Sequence, residues 1–135
     1  MTLTINIKKE WFDMIFSGEK KEEYRDIKYF WGIRFLDFKE ETEYGIFDEL
    51  LNEFKNIRPD SESIKDLLQH YDCDFKQFDK VLFINGMKTK EKSRRFEIEL
   101  KGIDIDYGLK KWGAITERKY FVIKLGKISS SQNCT

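Results

Sequence analysis

From Phe96 to Lys101 apolar and polar residues alternate, as in a strand that buries one face. The phase then slips by one residue at Gly102, so that Ile103 and Ile105 carry the apolar pattern onward. A strand that changes its buried face partway needs a bulge or kink at the slip, and glycine tolerates that backbone. Barrels turn their corners in this way. A flat sheet with one continuous apolar face is therefore a poor fit, and a small, curled, mostly antiparallel barrel is a good one.

The rest of the pattern agrees with this. Leu3, Ile5 and Ile7 alternate with Thr4, Asn6 and Lys8, which predicts an opening strand. Trp11, Met14 and Ile15 recur at helical spacing and Gly18 follows, which predicts a helix over about 9–17 stopped by a left-handed cap. Ile46, Phe47, Leu50, Leu51, Phe54 and Ile57 keep the 3.6 period. Pro59-Asp60-Ser61 then turns into a second helix bearing Ile64, Leu67, Leu68 and Tyr71. Phe78 to Ile84 is an apolar run bounded by Asn85-Gly86, which predicts a strand near the centre of the sheet and then a turn. Tyr120 to Leu125 predicts a last buried strand. The expected class is α+β: a barrel with an N-terminal helix and a two-helix insert over about 42–77.

Size and composition limit the alternatives. With 135 residues, 40% hydrophobic and 16% aromatic, the chain has apolar surface for one core and is short for two domains. One domain over 1–128 is expected, followed by a flexible serine-rich tail over 129–135. The apolar runs are far shorter than the roughly 20 residues of a membrane helix. The first residues lack the basic leader and apolar stretch of a signal peptide, so the expectation is a cytoplasmic protein without a membrane partner. Cys73 and Cys134 are expected to be free and reduced. His70, the only histidine, is expected to be an ordinary helix residue, and no metal site or cofactor is expected.

The charges sum to zero but are segregated. Residues 36–79 carry five basic and thirteen acidic groups, whereas residues 80–135 carry thirteen basic and six acidic. Such a division suggests a basic flank able to attract a polyanion, or simply solvated faces that keep the chain soluble. Lys88, Lys90, Lys92, Arg94 and Arg95 form the densest basic stretch, a hairpin that would touch phosphates or stay solvated.

Gly18-Glu19-Lys20-Lys21-Glu22-Glu23-Tyr24-Arg25-Asp26 is the densest polar cluster, at a helix end running into a strand. Side chains two apart in a strand point the same way, which would put Glu23 and Arg25 on one face. Lys20, Glu23 and Arg25 would then hold an anion or transfer a proton, or would form ion pairs of small worth. Tyr24, Tyr29 and Trp31 offer stacking rings or core packing. Asn85 offers a turn residue or a base-reading amide.

The order Gly18-x-Lys20-x-x-Glu23-x-Arg25 resembles the G-x-K-x-x-E-x-R signature of the ASCH domain family, in the PUA-like superfamily. Trp11-Phe12, Val81-x-Phe83-x-Asn85-Gly86 and Trp112-Gly113-Ala114 extend the resemblance over most of the chain outside the insert. It implies a PUA-like barrel with a cleft beside the signature that binds RNA or a nucleotide; Lys20 and Arg25 of the signature are then the expected contacts, with Tyr24, Asn85, Lys88, Arg94 and Arg95 as the further candidates that the residues themselves offer. It also implies an alternative, a metal-independent hydrolase using Lys20, Glu23 and Arg25. Its substrate would be RNA or an N4-acylated cytidine, although Glu23 stands where the acylcytidine amidohydrolases have threonine. A third alternative is a protein-interaction module that docks through the acidic insert.

Overall fold

The computed structural model describes residues 1–41 and 43–134. Thr42, where the insert was expected to begin, and Thr135, the end of the expected tail, lie outside the described residues. The fold is α+β. In chain order it runs β1 (Thr2–Asn6), α1 (Lys9–Phe16), β2 (Glu22–Asp26), α2 (Tyr29–Phe35), β3 (Leu36–Phe38), α3 (Tyr44–Asn56), α4 (Ser61–His70), β4 (Cys73–Phe75), β5 (Lys80–Asn85), β6 (Arg94–Tyr107) and β7 (Lys119–Gln132). Among the described residues no helix is long and apolar enough to cross a membrane.

Five strands make one mostly antiparallel sheet in the order β1-β5-β6-β7-β2. The β1–β5 pair is parallel, with Ile5 opposite Phe83, and β5–β6 is antiparallel, with Phe83 opposite Phe96. β5 thus lies between two neighbours, as its apolar run predicts, and Val81, Phe83 and Ile84 are buried. In this order β1 and β2 are the end strands of a curled, half-barrel sheet, which agrees with the curled, mostly antiparallel sheet expected from the sequence. β3 and β4 form a separate antiparallel ribbon, Leu36 opposite Phe75.

The chain divides into two compact units. The first comprises Met1–Glu23, Gln77–Gly102 and the chain from Ile123. The second comprises Tyr24–Lys76 and Ile103–Val122. The phase slip read at Gly102 falls at this border: β6 buries Phe96, Ile98 and Leu100 before it and Ile105 after it. In the first unit Phe96 packs edge-on against Phe12, 4.8 Å between ring centroids, and 5.6 Å from Phe83.

In the second unit the insert helices contribute to the core. Leu50 and Phe54 of α3 are fully buried, and the Phe54 and Phe35 rings both meet Phe121 of β7 edge-on. Asp60 caps α4, accepting from the Ser63 amide at 2.8 Å, as the Pro-Asp-Ser turn predicts. α2 packs closely on α3 at Gly32, where a Cβ would come within 2.8 Å of the Phe47 ring.

Ser129–Gln132 continue β7 where a flexible tail was expected. Ladder hydrogen bonds use the backbone, so a polar serine run pairs as readily as an apolar one. Beyond the strand, the Asn133 amide nitrogen donates to the Glu91 and Ser93 carbonyls, which ties the chain end to the basic hairpin.

Candidate functional site

Helix α1 ends as its sequence demands. The Gly18 amide donates to the Ile15 carbonyl and Gly18 adopts φ 85°, a left-handed turn that a residue with a Cβ takes only under strain. The Lys20 amide then donates to the Met14 carbonyl at 2.9 Å, which folds the chain back toward the helix before β2 begins. β7 is joined to this corner by the Leu125 amide, which donates to the Lys21 carbonyl at 3.0 Å.

The corner buries charge. Lys20 Nζ donates to Glu23 Oε1 at 2.7 Å, with side chains 1% and 7% exposed. The same ammonium sits 4.4 Å from the centroid of the Trp11 ring, a cation–π contact away from water. Lys20 and Glu23 are the only buried charged residues among those described. Helical spacing places Trp11 on α1 but does not by itself indicate its contact with Lys20.

Beside this pair lies a cleft of about 220 Å³ lined by Ser17, Gly18, Lys20, Lys21, Gly126 and Lys127 among apolar neighbours. Its charged lining is all lysine. Lys21 and Lys127 are exposed, so they, rather than the buried Lys20, present ammonium groups to solvent. Sequence reasoning passed over both. Lys21 sits inside the signature, but nothing local marks Lys127, which β7 delivers from over a hundred residues away.

The other expected site residues are placed as follows. Arg25, in the second unit, stacks its guanidinium 4.8 Å over the Trp31 ring. Tyr24 is a packing residue: its ring meets Tyr120, and its hydroxyl accepts from the Leu109 amide at 2.9 Å. The Tyr29 ring is half exposed and sits edge-on to Phe47. Asn85 donates to the Ile7 carbonyl and accepts from Arg94, so both ends of its amide are engaged in the fold. Arg94 also donates to Asp13 at 2.7 Å and lies over the Phe12 ring. Hydrogen bonds from Lys9 and then Arg94 hold the Asp13 carboxyl below the ordinary carboxylate range. Arg95 donates to the Lys88 and Lys90 carbonyls and so braces the hairpin. That leaves Lys88, Lys90 and Lys92 as the hairpin's exposed cations.

His70 lies exposed at the end of α4 against Tyr71, and Trp112 is buried. Cys73 and Cys134 are both free. Among the described residues no three His, Cys, Asp or Glu side chains gather as a metal ion would require. The chain matches no protein-family model, no curated protein and no solved structure.

Proposed function

We propose that this chain is an RNA- or nucleotide-binding protein of the ASCH type, within the PUA-like superfamily, and that its ligand lies at the corner formed by Gly18 to Glu23. The observation that carries this reading is the cleft beside Lys20, whose charged lining is lysine alone. A polyanion gains from such a lining by releasing counterions. The buried Lys20–Glu23 pair supports the same reading, since an apolar pair of similar volume would pack at least as well. In this arrangement Lys20 and Glu23 fix the corner, while Lys21 and Lys127 contact phosphate. Lys88, Lys90 and Lys92 add further phosphate contacts from the hairpin.

The test is binding of a labelled single-stranded RNA across a salt series. Affinity should fall as salt rises, and Lys21→Glu with Lys127→Glu should flatten the slope by about 0.7 per lost contact. Lys39→Glu with Lys65→Glu, in the acidic segment, should leave the slope unchanged. No binding at low salt, or equal slopes for the two double variants, would sink the reading.

The buried pair also favours a second reading, a metal-independent hydrolase acting on RNA or acylated cytidine. An ammonium and a carboxylate in contact away from water are placed to pass a proton. Lys20→Arg keeps the charge but replaces the amine by a guanidinium, which stays protonated throughout. Turnover should therefore vanish in Lys20→Arg with chelator present throughout, whereas a binding site would keep part of its affinity. No turnover by the unaltered protein on either substrate would exclude this reading.

A further inference from the structure

A second cavity, lined wholly by the second unit, has a volume of about 620 Å³, within the range of roughly 300–1,000 Å³ typical of small-molecule sites. Four cations line it, Lys28, Lys55, Arg118 and Lys119, with two carboxylates, Asp26 and Glu117. Lys28 and Arg118 are exposed, and among the described residues their side chains make no ion pair. Lys119 is fixed: its Nζ donates to the Lys55 carbonyl at 3.2 Å and lies 5.7 Å from the Tyr107 ring centroid. Ile115 adds an apolar surface that is 55% exposed.

The turn that shapes this wall is under strain. The Arg118 amide donates to the Ile115 carbonyl at 3.3 Å, and Glu117, third in that turn, has φ 66°. Glycine is the residue that takes this conformation without cost, so a glutamate here holds its carboxylate at the cavity against the preference of the backbone.

We propose that this cavity binds a nucleoside di- or triphosphate. Four cations against two carboxylates leave the lining with a net charge of +2, which a di- or triphosphate answers and a neutral metabolite would not. The exposed Ile115 side chain offers an apolar contact for a base, and the Glu117 carboxylate accepts hydrogen bonds from ribose hydroxyls or a base amino group. The site goes beyond the RNA reading: none of its residues belongs to the lysine-lined cleft or to the Lys20–Glu23 pair.

Calorimetric titration of the full chain with ATP, inorganic tripolyphosphate and adenosine, at about 50 and 200 mM salt, tests it. ATP and tripolyphosphate should bind, more weakly at the higher salt, and adenosine should not. Lys28→Gln with Arg118→Gln, both at exposed positions, should lower ATP affinity about tenfold or more, whereas Lys101→Gln should leave it unchanged. Glu117→Gly, which suits the turn, should weaken ATP several-fold without weakening tripolyphosphate. No binding of either phosphate compound at millimolar concentration, equal ATP affinity in the Lys28/Arg118 variant, or equal loss for ATP and tripolyphosphate in Glu117→Gly would overturn the proposal.

Discussion

Replacing Lys20 by methionine keeps most of the side-chain volume but takes the ammonium away from Glu23, whose side chain is 7% exposed. Removing one partner of a buried ion pair costs about 3–5 kcal/mol, because the remaining charge keeps its desolvation penalty and loses the attraction of the group removed. The contact at 2.7 Å and the Trp11 ring at 4.4 Å place this pair at the strong end of such interactions. With a urea dependence of about 2 kcal/mol per molar, the unfolding midpoint should fall by roughly 1.5–2.5 M. Glu23→Leu alone should destabilise for the converse reason. The double variant, which buries neither charge, should be more stable than either single variant. Urea unfolding followed by tryptophan fluorescence completes the double-mutant cycle. If the two single losses add within about 0.5 kcal/mol in the double variant, Lys20 and Glu23 are not energetically coupled and the account of the corner is wrong.

A Cβ at Gly108 would meet the Ala114 Cβ at 2.6 Å and the Tyr24 ring at 2.8 Å, both within packed structure. Gly108→Ala should therefore cost about 1–3 kcal/mol by overpacking, and a melting temperature unchanged within about 1 °C would refute that packing. Burial, with Asp74 adding to it, pushes the Cys73 thiol up to about 12, and burial with Glu49 does the same for the Tyr71 hydroxyl. Both groups are raised, so their contribution to stability is complete below the unfolded values near 8.5 and 10 and is lost as pH climbs toward 12. The urea midpoint should fall between about pH 9 and 11, and less steeply in Cys73→Ala. At pH 8 a thiol reagent should modify the part-exposed Cys134 well before Cys73; equal rates would show that the Cys73 side chain is open to solvent.

Much of the secondary structure was legible because period and punctuation are local. Gly18 stops α1, Asp60 starts α4, and the slip at Gly102 marks where β6 changes its buried face. α2 escaped notice because Tyr29–Phe35 is apolar at five of seven positions without a polar stripe, so no 3.6 period stands out. The insert helices were recognised, but their burial depends on Phe121, which lies over sixty residues further along the chain. Compositional simplicity at Ser129–Ser131 suggested a loose end, but strand pairing needs only a backbone and a free neighbouring edge.

For the site, the sequence by itself determined that Lys20 and Glu23 share one corner, since a glycine stop and three residues of spacing are enough to bring them together. The tertiary structure decided what each charge does. Arg94 was an equal candidate for phosphate contact in the sequence, yet it is engaged by Asp13, 81 positions away, and by Asn85. Lys127 had no local mark at all, yet it lines the cleft because β7 runs alongside the Lys20 corner. The reason lies in distance. Conformation follows from neighbours a few residues apart, whereas the partner of a charge, and hence its freedom to meet a ligand, follows from long-range packing that no local pattern encodes.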